Sequence, residues 1–323
     1  MNALLTNILY GINSVIGSYG WSMIIFTLIV KLLMLPLDYK SRKGMRKTQL
    51  IQPEMQRLQK KYANDKEKLN QKMAELYRKE GVSPMSGCLP MILSMVVLWC
   101  MWGAMRTVAN VELARQCVEL LTTGTAEFEG FLWIKNIWMP DSPFTPIIAD
   151  QNSLMMIQPD HWASVFAQLT ADQVSGLAAM GIDAANFNGE TVFAALQTLP
   201  IYAEQTQLWS FMPSVNLLIA QLKIYANNNG WFILPVLSAV TQYLMTLSQP
   251  QQPAANGQAN STSQFMKYFF PLFSLWICSS YNALFSLYWV ISNVFAWIQS
   301  VILNKVFENM DKKQKSNKEE NLK

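Results

Sequence analysis

The chain alternates long apolar runs with short charged blocks instead of mixing the two. In the run 21–37, WSMIIFTLIVKLLMLPL, the only polar side chains are Ser22, Thr27 and Lys31. A helix needs about 20 apolar residues to cross a hydrocarbon core of about 30 Å. Five segments approach that requirement: 21–37, 85–106, 230–248, 264–279 and 282–303. The last two are separated by argument. The sequence is almost continuously apolar from residue 268 to residue 303, and as one helix that stretch would be roughly 54 Å long, more than a bilayer accepts. It must fold back, and the polar cluster Ser279, Ser280, Tyr281, Asn282 supplies the hinge of a helical hairpin.

Between the spans the apolar pattern changes character. Residues 1–20 place Leu4, Leu5, Ile8, Leu9, Ile12, Val15 and Ile16 at helical spacing, which predicts an amphipathic helix on the membrane surface. This segment has neither a basic start nor a cleavage-like end, so it is not read as a signal peptide. In the 38–84 block, Ile51, Met55, Leu58 and Tyr62 form one apolar stripe and Leu69, Met73, Leu76 and Tyr77 another. Asn64 and Asp65 between them are helix starters, so two antiparallel amphipathic helices are predicted. A linker follows at 249–263 and a lysine-rich tail at 304–323.

Charge orients these elements. The 38–84 block carries thirteen Lys or Arg against six Asp or Glu, whereas 107–229 carries three against eleven. By the positive-inside rule the first is cytoplasmic and the second is outside. Five spans then put the N-terminus outside and the basic tail inside, a placement not used to derive the topology. The basic loop suits an anionic lipid surface or ribosomal RNA, and equally an ordinary solvated hairpin. With 51% apolar residues, eleven Trp and charge confined to blocks, the composition is that of a polytopic membrane protein. Of the four cysteines, Cys88, Cys100 and Cys278 lie in apolar runs and leave Cys117 without a partner, so no disulfide framework, redox chemistry or zinc site is expected. His161, the single histidine, reads as a solvated or capping residue.

Lys31 is the chemically informative residue. Ionisable side chains inside spans face a protein interior or a hydrated cavity and are functional candidates by default. Snorkelling competes with that reading, because Lys31 sits about 9 Å from the cytoplasmic end of its helix and its side chain reaches about 6 Å. Asp, Glu and His are absent from all five spans, so a charged Lys31 implies water around it, in a groove open to the cytoplasm. The fold class expected is an all-α polytopic membrane protein: five transmembrane helices around that groove, a cytoplasmic helical hairpin, and a helical extracytoplasmic insertion.

Several ordered motifs resemble the YidC-type membrane protein insertases of the YidC/Oxa/Alb family. The first span carries Thr27, Lys31, Pro36 and Leu37 in that family's T-x-x-x-[RK]-x-x-x-x-P-L pattern. The loop continues with MRKTQLIQPEMQ at 45–56 and the LYRKEGVSPMSGCLP stretch at 76–90. The external segment has FLWIKNIWMPD at 131–141. The third span has ILPVLSAVT at 233–241, and the end has KYFFP at 267–271 and LYWVISN at 287–293.

What the resemblance implies is an insertase of a bacterial-type plasma membrane, not an enzyme. It would move short hydrophilic tails through a positively charged groove and release the attached apolar helix into lipid without ATP. It would use no cofactor and no metal. Its partners would be nascent membrane proteins and a bilayer with anionic lipids, with a ribosome and a secretion channel as further candidates; no DNA partner is implied. Lys31 stands where the family usually has a groove arginine, Thr27 and Trp289 match substrate-contacting positions, and Gln242 is a groove-lining candidate. Lysine keeps the charge but loses the planar fork of arginine. Roughly eighty extra residues, 142–229, depart from the family pattern and are too long for an ordinary loop. Within them Trp162, Val165, Phe166 and Leu169, then Val192, Phe193, Leu196 and Leu199, predict helices. The alternatives to an insertase are a passive assembly scaffold and a transporter or channel. The latter would ordinarily use intramembrane acids or inverted repeats, neither of which is visible.

Overall fold

The computed structural model describes residues 2–81, 89–217, 221–249 and 259–320. Outside them fall the VSPMSGC part of the loop motif, with Cys88 and the first residues expected of the second span, most of the 249–263 linker, and the last three residues of the tail. The chain is mostly helical and divides into two compact units. The first comprises Met1–Phe26, Cys100–Ser238 and Ser274–Val290; the second comprises Thr27–Trp99, Ala239–Phe273 and Ile291–Lys323.

The first unit opens with α1 (Asn2–Ile16), which buries Thr6 and Leu9 and leaves Leu4, Ile8 and Val15 exposed. It stops at Gly17, whose φ of 72° only glycine adopts freely and whose N–H returns to the Asn13 carbonyl at 2.8 Å. Next come the start of α2 (Tyr19–Leu50) and most of α5 (Leu89–Thr123). Although the apolar run was expected to end near residue 106, α5 continues to Thr123. Its buried residues keep helical spacing through Val108, Ala114, Cys117, Val118 and Leu121, because the insertion packs along this extension. Arg115 reaches Gln168 at 2.6 Å, and a Cβ on Gly176 would meet Thr122.

The insertion contains α6 (Gln151–Met155), α7 (Pro159–Phe166), α8 (Ala171–Ala179), α9 (Gly189–Leu196) and α10 (Pro200–Gln205). Asp150, Thr170 and Asn188 start α6, α8 and α9 with capping boxes, and Leu154, Trp162, Val165, Leu177, Val192 and Leu196 fill a core of their own. The expectation of a helical insertion is met only in part. After α10 the chain forms a β-hairpin, β1 (Ser214–Asn216) antiparallel to β2 (Gln221–Lys223), with Val215 opposite Leu222. Pro213 and the β-prone Trp209, Phe211 and Val215 disfavour another helix there.

The second unit holds the remainder of α2, then α3 (Gln52–Lys61) and α4 (Lys66–Lys79). Ile51, Met55 and Leu76 are buried between these two, with Leu58, Met73 and Tyr77 packed around them. Asp65 caps α4 by accepting the Lys68 N–H at 3.0 Å. The ends of the chain's last three helices complete it: α11 (Ile233–Ser248), α12 (Ala259–Ser280) and α13 (Ala283–Glu320). α12 and α13 are divided at Tyr281 and Asn282, the hinge expected from the apolar length. The basic tail is a continuation of α13 as far as Glu320. Among the described residues, α2 and the 283–313 part of α13 are long and apolar enough to cross a membrane.

Candidate functional site

The α2 helix has two unlike faces. Leu28, Ile29, Leu32 and Leu33 are exposed, Leu33 by 76%, and form an apolar surface fit for lipid. Thr27, Lys31 and Asp38 share the opposite face at spacings of four and seven residues. Thr27 is 0% exposed and the other two are half-buried. Lys31 therefore lies on the protein-facing side, and among the described residues it forms no salt bridge. Gln242, 7% exposed, occupies α11 beside Thr241, whose hydroxyl accepts from Asn293 Nδ2 on α13 at 3.4 Å. Ser292, Gln299 and Ser300 on α13 are buried as well, and Ser292 Oγ has no protein partner among the described residues. The second unit thus carries a row of buried polar side chains on helices otherwise made for hydrocarbon. Trp289 belongs to the first unit, its ring 5.6 Å from that of Phe285.

Below Lys31, toward the basic loop, the second unit gathers groups that sequence reasoning missed. Gln299 donates to Asp38 at 3.3 Å, and Arg42 donates to Ser300 Oγ at 2.8 Å. Ser300 Oγ and Asn304 Nδ2 in turn satisfy the Ser248 carbonyl at the end of α11, at 2.7 and 3.0 Å. Arg46 pairs with Asp311 at 2.6 Å, and Tyr39 stacks on Phe307 at 5.6 Å. A cavity of about 280 Å³ opens among Arg42, Arg46, Gln49, Ser248, Asn304 and Glu308. The available signal was α2 itself, on which Asp38 and Arg42 continue the face of Thr27 and Lys31. None of the four residues singled out from the sequence lines this cavity, nor the one of about 380 Å³ beside Arg106 and Asn110 in the first unit.

The motif FLWIKNIWMPD at 131–141 has a structural task. Asp141, 0% exposed, accepts the Trp231 and Leu234 N–H groups at 2.9 and 2.6 Å and so caps the start of α11; it also accepts Trp133 Nε1 at 3.1 Å. A Cβ on Gly230 would collide with that carboxylate. Asn229 Nδ2 donates to the carbonyls of Asn136, Met139 and Pro140. The carbonyls of Ile137 and Met139 take the first N–H groups of α13, from Leu284 and Ala283, and nearby Glu129 accepts the first N–H of α2 from Tyr19. One short segment therefore satisfies the N-termini of three long helices. Burial raises the Glu129 pKa, Glu112 raises it further, and the Tyr19 N–H opposes both.

His161 departs from the solvated or capping role expected of it. It is half-buried and its Nδ1 lies 3.0 Å from Asn110 Nδ2, which ties α7 to α5. Burial, then Arg106, lowers its pKa, and Asp160 opposes them. Among the described residues no cluster of three metal-ligating side chains exists, and Cys117 and Cys278 are buried thiols outside any disulfide.

Long helices with one lipid-suited face and one buried polar face define an α-helical integral membrane protein. More narrowly, the chain belongs to the 60Kd inner membrane protein family, whose sequence model matches residues 11–179 and 191–313. It is 37% identical over 136 residues to the membrane protein insertase YidC of Clostridium perfringens, covering 41% of this chain and 50% of that protein. To the insertase YidC of Anaeromyxobacter dehalogenans strain 2CP-C it is 34% identical over 146 residues, 45% of this chain and 24% of that one. To that of Chlorobaculum tepidum it is 24% identical over 300 residues, 93% of this chain and 35% of the relative. The chain thus spans between a quarter and a half of the length of these relatives.

Proposed function

We propose that this protein is a membrane protein insertase. It would accept the short polar tail of a newly made membrane protein into a hydrated, positively charged groove and release the following apolar helix sideways into lipid. The observation that supports this most directly is the placement of Lys31 on the buried polar face of α2, below Thr27, in a unit whose α11 and α13 also bury Thr241, Gln242, Ser292 and Asn293. Polar groups in hydrocarbon are costly and are retained where they line an interior or a wet cavity. A hydrated groove there would shorten the apolar path of a polar tail, its cation would attract acidic residues in that tail, and the apolar helix that follows would supply the driving force at about 0.8 kcal/mol per buried CH2. Neither step needs ATP or a cofactor. Trp289 is proposed as a client-contacting aromatic on the family pattern alone. In this reading the chain crosses the membrane five times, with 38–84 and the tail cytoplasmic. The basic loop then faces anionic lipid, and its clients arrive from a ribosome or a secretion channel.

The test is insertion of a single-span substrate with an acidic external tail by the full chain reconstituted in lipid vesicles. Lys31→Arg keeps the charge and is expected to insert as the parent does. Lys31→Ala is expected to lose roughly tenfold, the equivalent of about 1.4 kcal/mol. Equal insertion by the alanine variant would leave a passive scaffold as the better description.

A further inference from the structure

In the first unit every residue from Gln207 to Pro213 is exposed, and Leu208, Trp209, Phe211 and Met212 among them are large and apolar. Phe211 is 87% exposed, the Trp209 and Phe211 rings lie 6.2 Å apart, and exposed Leu217 follows just beyond β1. Apolar side chains grouped in this way mark a surface that something covers.

The root of this hairpin shows where it stands. Trp209 N–H donates to the Ile224 carbonyl and Ala226 N–H to the Gln207 carbonyl, both at 2.9 Å, so the arms are paired below the named strands. The returning arm is fastened at 3.2 Å from Tyr225 N–H to the Pro143 carbonyl and at 3.0 Å from Ile147 N–H to the Asn227 carbonyl. Within a few residues the chain enters α11 through the Asn229 and Asp141 clamp. The root is therefore at the mouth of an apolar helix, beside Trp231, 62% exposed. The same clamp adjoins Phe131, against whose ring exposed Trp21 packs at 5.5 Å on α2. Exposed tryptophans at the ends of spans belong to the headgroup level of a bilayer.

Charge selects the occupant. All eleven acidic residues of 107–229 precede Gln205, and no Asp or Glu follows until Glu308. Lys223 is the only charged residue from 205 to 229. An apolar arm without carboxylates, carrying one lysine, meets phospholipid without repulsion, whereas the remainder of the insertion would be repelled by it. We propose that the hairpin arms 207–217 and 221–226 lie in the bilayer interface of the leaflet that holds the start of α11. Trp209, Phe211, Met212 and Leu217 enter the acyl boundary, and Lys223 meets lipid phosphate. The insertion is thereby held against the membrane instead of standing in water. This depends on α11 being a span and not on the insertase reading.

The experiment places a nitroxide at Phe211→Cys in the full chain, with Cys88 and Cys100 replaced by serine, in vesicles of phosphatidylcholine and phosphatidylglycerol. Collision of the label with oxygen, which partitions into lipid, is compared with collision with a water-soluble nickel chelate; a label at Asp172→Cys, an exposed position of α8, is the aqueous reference. The oxygen-to-nickel ratio at 211 is expected to exceed that at 172 several-fold, and a label at Leu217→Cys is expected to agree. Nickel access at 211 equal to that at 172 would put the hairpin in water, and protection from both reagents would mean that protein covers it. Either result overturns the proposal.

Discussion

At the scale of single residues, two side chains of similar rarity in apolar surroundings do different work. Lys31 was conspicuous in the sequence because a charge inside a hydrophobic run is expensive. Asp141 stands out in the sequence only as the end of a motif, yet it is fully buried and accepts two backbone N–H groups at the start of α11 and one indole N–H. A carboxylate at a helix N-terminus gains from both the orphan donors and the helix dipole. Hydrogen bonds to charged groups are worth about 1.5–3 kcal/mol each when a partner is removed. Asp141→Ala is therefore expected to destabilise the protein by about 3 kcal/mol, and Asp141→Asn, which keeps one acceptor, by less. Thermal unfolding in mixed micelles measures this, with hydrogen exchange at Leu234 as the local check; unchanged protection at Leu234 would mean that the cap is dispensable. Gly230→Ala should resemble Asp141→Ala, since a methyl group there displaces the same carboxylate.

At the scale of elements, the sequence was most readable where one period governed. The α3–α4 stripes, the Asp65 start and the hinge before Asn282 follow from apolar spacing and chain length, which are local properties. The extension of α5, the continuation of α13 into the tail and the β-hairpin were not readable in the same way. The two helix extensions depend on what packs against them, the insertion along α5 and Arg46 and Tyr39 against Asp311 and Phe307 of α13, whereas the hairpin strands are three residues long and too short to show a period. Likewise Thr27 and Lys31 could be placed on one helix face from spacing alone, whereas the Asp38, Arg42, Gln299 and Ser300 layer required the neighbouring helix to be known. The anchoring of α2 by Glu129 is another contact of this kind, 110 residues away in sequence, and it carries a pH signature. Because burial raises the Glu129 pKa, the folded state holds its proton more tightly than the unfolded state does. That contribution to stability is full below the ordinary value of 4.5 and is lost as the pH rises through the raised one. Melting temperature in micelles is expected to fall over that interval and to fall less steeply in Glu129→Gln, which retains an acceptor for Tyr19 N–H. A slope identical to the parent's would remove Glu129 from the explanation. His161 has the opposite sign: its lowered pKa contributes stability that is lost as the pH drops from 6.5 through the folded value. Protection factors of the α7 amides, corrected for the intrinsic pH dependence of exchange, should accordingly fall on acidification.

At the scale of the whole molecule, charge is partitioned more sharply than any one element reveals. Acidic residues dominate 107–204, none occurs from 205 to 307, and basic residues dominate 38–84 and the tail. For a membrane protein this pattern sets orientation, since lysine and arginine near span ends are retained on the cytoplasmic side. It also bears on the function proposed, because Lys31 can attract an acidic tail only if its face of α2 opens to the compartment in which newly made chains arise. Orientation is thus a premise of the mechanism that can be checked without any client. In intact cells, a cysteine introduced at the exposed Asp172 is expected to react with a membrane-impermeant maleimide added outside, whereas one at the exposed Lys60 is expected to react only after the membrane is opened. The reverse pattern would turn the Lys31 face toward the outside and remove the route by which a newly made chain reaches it, even if the alanine variant were impaired. Labelling at both positions without opening would mean mixed topology, and the charge partition would then not orient the chain.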